Sequence, residues 1–244
     1  MSDTTGTNQL KINLKLADAA MSLKTWWGLI FIYPLARRFT VFIVNRTRIS
    51  ANQITFCAIV LRMVTAAYFL SGSRHGLIIG AIAYYLAYVC DCSDGTVARI
   101  RNQSSELGRY LDHVSDLVGD VLILGALAWS QGLLLSPFVL AMAFMHIAEC
   151  YMSYLAGFAI GSFSDGKLDK VFAPFNRYRS WWFSRNIKSS ISFPDYCALV
   201  FVFCPLLNIP AVGLQYGFFV LLAICLYTVL STFVTLHTTE TRFP

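Results

Sequence analysis

A chain of 244 residues that is 57% hydrophobic and 13% charged, with a mean hydropathy of +0.59, is neither disordered nor an ordinary water-soluble enzyme. A soluble domain carries roughly a quarter charged residues. The net charge is +6, from 19 Lys+Arg against 13 Asp+Glu; in so apolar a chain this excess points to cytoplasmic loops and anionic lipid, not to nucleic acid.

Residues 1–21 are polar and read as loose. They hold no apolar run of the signal-peptide kind, so an uncleaved, cytoplasmic N-terminus is expected. Residues 22–48 mix Trp26, Trp27, Phe31 and Phe42 with Arg37, Arg38, Arg46 and Arg48, and carry Pro34. The pattern predicts an amphipathic helix lying in the headgroup region. The alternative is a seventh, Pro-kinked span. Six spans follow by apolar run length, at about 51–71, 76–92, 109–130, 134–161, 194–208 and 212–236. Ser50 is placed to cap the first. Asn208, Pro210 and Gly213 separate the last two. The expected fold class is all-α and polytopic. Residues 1–49 form a cytoplasmic N-terminal segment with the amphipathic helix, and residues 50–244 a six-helix transmembrane catalytic domain. The seven cysteines lie mostly inside apolar runs, form no C-x-x-C pair and read as small buried hydrophobes.

Charge tests this topology. Segments 1–50, 93–108 (with Arg109 at its edge), 162–193 and 237–244 hold 17 of the 19 basic residues. Only Arg62, inside the first span, and Arg74, in the first outer loop, fall elsewhere. The positive-inside rule therefore predicts an even number of spans with both ends cytoplasmic.

Six of the 13 acidic residues fall between positions 91 and 120: Asp91, Asp94, Glu106, Asp112, Asp116 and Asp120. Ionisable groups at a membrane edge are costly unless paired, hydrated or bound to metal. Asp91 and Asp94 share one helix face; Gly108, Asp112, Asp116 and Asp120 make an i, i+4 stripe on the next. A short connection makes the two helices antiparallel neighbours, so three or four carboxylates converge. Oxygen-only ligands point to Mg²⁺ or Mn²⁺ rather than Zn²⁺. Gly95, Ala98 and Gly108 leave room for a nucleotide or a helix backbone, and Arg99 suits a phosphate oxygen. Together they describe a pyrophosphate site. The bland alternative is a solvated charged loop.

The segment reads Asp91-x2-Asp94-Gly95-x2-Ala98-Arg99-x8-Gly108-x3-Asp112-x3-Asp116. It resembles the motif of the CDP-alcohol phosphotransferase family, D-x2-D-G-x2-A-R-x8-G-x3-D-x3-D, at all eight fixed positions. Ser50-Ala-Asn52-Gln-Ile-Thr55 is similar to the family's T-P-N-x-x-T at the start of its first span, with Ser-Ala in place of Thr-Pro. The resemblance implies two divalent ions, Mg²⁺ or Mn²⁺. Asp91 and Asp112 would bridge both, Asp94 would complete one shell, and Asp116 would complete the other or act as general base. Gly95, Ala98, Arg99 and Gly108 would cradle the CDP, with Asn52 at the same donor site. A homodimer is implied as well.

Weaker features carry two readings each. Asp120 reads as a buried pair with Arg62, or as an acceptor contact. Glu149, three residues after His146, either receives a cationic head group or hydrogen-bonds across the bundle. His113 points away from the stripe and reads as structural or supporting. The basic, aromatic segment 165–188 reads as a headgroup anchor, or as a site for an acceptor phosphate. The expected function is transfer of a phosphatidyl group from CDP-diacylglycerol to a small polar alcohol, with release of CMP on the cytoplasmic side. The partners are the CDP-linked donor, the alcohol acceptor and membrane lipid, without nucleic acid. The alternative is transfer from a CDP-aminoalcohol to a lipid alcohol, a branch that Ser104-Ser-x-Leu-Gly108 and Asp112-His113 resemble. A cation transporter with an acidic vestibule is the rival from another class.

Overall fold

The computed structural model describes residues 12–21, 24–160 and 172–240. Lys11, Lys167, Lys170 and Arg242, counted in the charge reading, lie outside the described residues. The described chain is helical, with one isolated bridge between Lys24 and Ile187. Its helices are α1 (Leu14–Ala19), α2 (Gly28–Arg46), α3 (Ala51–Leu70), α4 (Arg74–Ile100), α5 (Glu106–Ser130), α6 (Pro137–Ile160), α7 (Ala173–Phe183), α8 (Phe193–Leu206) and α9 (Pro210–Glu240).

All six expected spans are helices, α3–α6, α8 and α9. Among the described residues five helices are long and apolar enough to cross a membrane: Gly28–Arg46, Ala51–Leu70, Arg74–Ile100, Pro137–Leu155 and Pro210–Val234. These are α2 and four of the six expected spans, while α8 is a shorter apolar helix. Serine caps set three starts. Ser50 accepts from the Gln53 amide at 3.3 Å while the Gln53 side chain reaches back to the Ser50 amide at 2.9 Å, a capping box. Ser73 and Ser105 cap α4 and α5 through Gly76 and Gly108, at 3.1 and 3.0 Å.

Two differences from the expected layout bear on the site. The helix of the second span does not stop with its apolar run at about 92: α4 continues past Asp94 to Ile100, into the segment expected to be cytoplasmic. Hydropathy falls after Cys92, but Ser93, Asp94, Thr96 and Val97 are all buried, so packing carries the helix on. It ends where Asn102 turns left-handed (φ 52°) and the Gln103 amide reaches the Ala98 carbonyl at 2.8 Å. The second difference concerns α2, which satisfies the length and composition of a span. Its hydrogen bonds lay it along α4 from Tyr85 to the C-cap Arg101, so the Pro-kinked span stands beside the interfacial helix as a reading of it. Tyr85 donates to the Phe31 carbonyl at 2.9 Å, and Arg101 donates to the Ile43 and Thr47 carbonyls at 3.1 and 3.0 Å.

Phe69, Leu77, Tyr84, Leu127, Met142 and Phe201 belong to one buried core. The outside is apolar too: Phe56, Leu135, Phe144, Leu207 and Tyr216 are 65–80% exposed. So much exposed apolar surface is unfavourable in water and ordinary in lipid.

Candidate active site

A cavity of about 340 Å³ opens where α3 begins, α4 ends and α5 begins. Asn52 and Thr55 line it from α3, Asp94, Gly95, Ala98 and Arg99 from α4, and Gly108 and Asp112 from α5. The two serine caps and the short 101–105 turn bring these helix ends together. A Cβ on Gly95 would meet only the far end of the Arg99 side chain, at 3.3 Å. One on Gly108 would meet the Ser105 hydroxyl at 3.0 Å and the Asn52 amide oxygen at 3.6 Å. No backbone stands in the way at either position, so the glycines leave room in the cavity rather than relieve packing.

Below the cavity, carboxylate oxygens of Asp91, Asp112 and Asp116 lie within 4.8 Å of one another. Asp112 belongs to both places: it lines the cavity and joins the acidic group. Its Oδ1 is buried and has no hydrogen-bond partner among the described residues. Asp94 stands apart. It accepts from the Thr55 hydroxyl at 2.6 Å and from the Gly95 amide at 2.5 Å, which turns its carboxylate toward α3. Arg99 lines the cavity and donates through Nε to the Ala20 carbonyl at 2.7 Å, tying the segment after α1 to the site.

Arg62 is the residue whose place the sequence reading only partly anticipated. Its buried guanidinium lies 2.5 Å from Asp116 Oδ1, 3.4 Å from Asp91 Oδ1 and 3.9 Å from Asp120 Oδ1. Asp116, not Asp120, is its nearest partner. Gly119 makes this possible, since a Cβ there would come within 2.6 Å of Arg62 Cδ. One fixed positive charge thus faces three carboxylates in a low-dielectric setting. Replacing it by Met should destabilise the ion-free protein by about 3 kcal/mol, the low end for breaking a buried pair, because 38% of the Asp116 side chain stays exposed. Thermal unfolding in detergent reads this, and Mg²⁺ or Mn²⁺ should restore part of the loss by supplying the missing charge. An unchanged melting temperature without ions would show that Arg62 does not neutralise the group.

The remaining sequence candidates separate. Glu149 accepts from Ser153 at 2.8 Å and from Thr228 at 3.1 Å, so it hydrogen-bonds across the bundle from α6 to α9. His113 packs its ring on Tyr154, with centroids 4.9 Å apart, outside the acidic group. His146 turns instead toward Asp120, its Nε2 3.8 Å from Asp120 Oδ2. In the basic segment, α7 buries none of its residues, and Arg185 sits over the Trp181 ring at 3.7 Å. Thr55, the last residue of the Asn52-x-x-Thr55 pattern, has its role only in the structure, where its hydroxyl holds the Asp94 carboxylate.

The sequence model of the CDP-alcohol phosphatidyltransferase family matches residues 48–230. That range takes in the cavity, the aspartates and α3 to most of α9. Comparison with curated proteins finds no significant match. Among solved structures the fold is similar to Mycobacterium tuberculosis phosphatidylinositol phosphate synthase (PgsA1) in complex with manganese and citrate. The TM-score is 0.52 at 20% identity, over 85% of this chain and 88% of that one. The same enzyme with CDP-DAG bound aligns with a TM-score of 0.51 at 19% identity, over 82% of this chain and 92% of that one. Likeness at such identities is one of fold, and the family match over most of the length goes further: the chain belongs to the CDP-alcohol phosphatidyltransferase family.

Proposed function

We propose that this membrane protein transfers a phosphatidyl group from CDP-diacylglycerol to a small polar alcohol and releases CMP, on the cytoplasmic face. The observation that carries the reading is the cavity itself. Asn52, Asp94, Gly95, Ala98, Arg99, Gly108 and Asp112 line one space that leads to the acidic group. A neutral or cationic cargo has no use for Arg99 at that wall; a pyrophosphate does. CDP-DAG occupies the similarly folded M. tuberculosis enzyme, which supports placing the lipid on the donor.

Mg²⁺ or Mn²⁺ fits the residues present. The donors are carboxylate oxygens only, they face one another closely, and Asp112 Oδ1 has no hydrogen-bond partner among the described residues. Asp91, Asp94, Asp112 and Asp116 would hold two ions, which supply neutralisation of the pyrophosphate charge when bound. Gly95, Ala98 and Gly108 admit the nucleotide, and Arg99 orients a phosphate oxygen. Asp116 accepts the proton of the acceptor hydroxyl as its oxygen bonds to the β-phosphorus. The bond from the β-phosphorus to the bridging oxygen breaks, and its electron pair leaves with CMP. Thr55 keeps Asp94 from turning away from the cavity. The working unit in this reading is a homodimer.

Purified protein given CDP-diacylglycerol and a panel of alcohols, with Mg²⁺ or Mn²⁺, should release CMP and one phosphodiester lipid in equal amounts. Release of CMP only from CDP-aminoalcohols with a lipid acceptor would favour the other branch. Ion flux without CMP would sink both. The cytoplasmic placement has its own test. In a background without native cysteines, Ser180→Cys on α7 should react with an impermeant thiol reagent only from the cytoplasmic side. Labelling from the outside would invert the topology and the site with it.

A further inference from the structure

A second polar cluster lies deeper in the bundle, one helical turn beyond Asp116. Asp120 of α5, His146 of α6 and Cys197 of α8 are all buried, and a ligand atom from each lies within 4.8 Å of the other two. Asp120 Oδ2 is 3.8 Å from His146 Nε2 and 3.7 Å from Cys197 Sγ. Tyr84 of α4 reaches the same oxygen at 3.2 Å. His146 is fully buried, and neither ring nitrogen has a hydrogen-bond partner among the described residues. A buried imidazole left so is costly, and in native structures it demands an explanation.

We propose that Asp120, His146 and Cys197 bind a zinc ion that ties α5, α6 and α8 together. The spacing suits it. With bonds of about 2.0 Å to nitrogen and oxygen and about 2.3 Å to sulfur, a tetrahedral ion holds its ligands roughly 3.3–3.5 Å apart. The two observed separations exceed this by a few tenths of an ångström, within the reach of small side-chain movements. Charge suits it as well. One thiolate and one carboxylate neutralise Zn²⁺, and Arg62, 3.9 Å from Asp120 Oδ1, keeps the nearer Asp116 and Asp91 as its own counter-charges, so little net charge is left in the apolar interior. Phe193 and Tyr196 flank the imidazole, with ring centroids at 4.5 and 5.6 Å, and fix its plane. The donor set also separates the two centres. Thiolate and imidazole select Zn²⁺, while the carboxylates near the cavity select harder ions. Asp120 lies about 12 Å along α5 from Asp112, so the two need not share an ion. Cys197 is then a ligand and not merely the small hydrophobe its apolar surroundings suggest.

The test reads metal, not turnover, so it stands whether or not the transferase reading does. Untagged full-length protein, purified in detergent without chelators, should carry about one zinc per chain by mass spectrometry. Cys197→Ser and His146→Gln should each reduce this to background, while Asp112→Asn should keep it. Cobalt taken up in place of zinc should give the wild type a thiolate-to-cobalt charge-transfer band in the near ultraviolet. That band should be missing from Cys197→Ser. Should both variants misfold, zinc content and the cobalt band of the wild type still decide. A wild type with neither zinc nor the band overturns the proposal. So does zinc that stays in Cys197→Ser and His146→Gln, or that is lost with Asp112→Asn instead.

Discussion

Asp112→Asn and Asp91→Asn are each expected to abolish turnover while the bundle still folds. Asp112 is the carboxylate shared by the cavity and the acidic group. Asp91 faces it from the neighbouring helix, within reach of Arg62 at 3.4 Å. An amide keeps the shape of the side chain but gives up its negative charge, and with it most of the attraction for a hard divalent ion. Folding should survive for the same electrostatic reason. Asp91, Asp112 and Asp116 crowd one another, and Arg62 keeps Asp116 and Asp120 as partners in either variant, so removing one charge eases the ion-free protein rather than straining it. Three measurements check this: CMP release under saturating Mn²⁺, Mn²⁺ affinity by calorimetry, and the melting temperature without ions. Turnover should fall to background and Mn²⁺ affinity should weaken, with the melting temperature unchanged or raised. Full activity in either variant would remove the assignment of these carboxylates as ion ligands.

The sequence made the acidic centre readable because helical spacing is enough to put Gly108, Asp112 and Asp116 on one stripe. The match of eight fixed positions named the family, and the family speaks against the acidic-vestibule transporter. Run length located the helices α3–α6, α8 and α9. It gave the apolar run of the second span, to about 92, and not the full length of α4, because apolarity reports contact with lipid and the helix is continued past Cys92 by residues buried against protein. What spacing cannot give is the rotation of one helix against another. Arg62 was expected to pair with Asp120, and it does at 3.9 Å, but α3 turns its guanidinium closer to Asp116 and Asp91. The sequence clue was Gly119, whose missing side chain makes the space for it. His146 and Glu149, three residues apart, serve different partners for the same reason, one on α5 and the other on α9. Cys197 lies 77 residues from Asp120 in the chain, and no local pattern joins them.

Asp116→Asn is expected to separate chemistry from binding. Turnover should fall by about 10²–10⁴-fold, the usual worth of a positioned general base. Donor affinity should change much less, because Asp116 does not line the cavity and Asp94 and Asp112 do. Arg62 holds Asp116 Oδ1 at 2.5 Å, and the side chain keeps 38% of its surface exposed. One oxygen is thus committed to the guanidinium, and the other is left to take a proton. The asparagine can present its oxygen to Arg62, so the buried pair survives as a charge–dipole contact. Its amide nitrogen then occupies the other position and has no capacity to accept. Turnover of Asp116→Asn should accordingly not recover at raised pH, where an impaired but intact base would. The measurements are CDP-diacylglycerol affinity and turnover for Asp116→Asn and Asp112→Asn side by side, under saturating Mg²⁺. Asp112→Asn should lose both quantities. If Asp116→Asn lost donor affinity as severely, Asp116 would be mainly an ion ligand. The proton acceptor would then lie outside the acidic group, since Asp91, Asp94 and Asp112 would be committed to the ions as well.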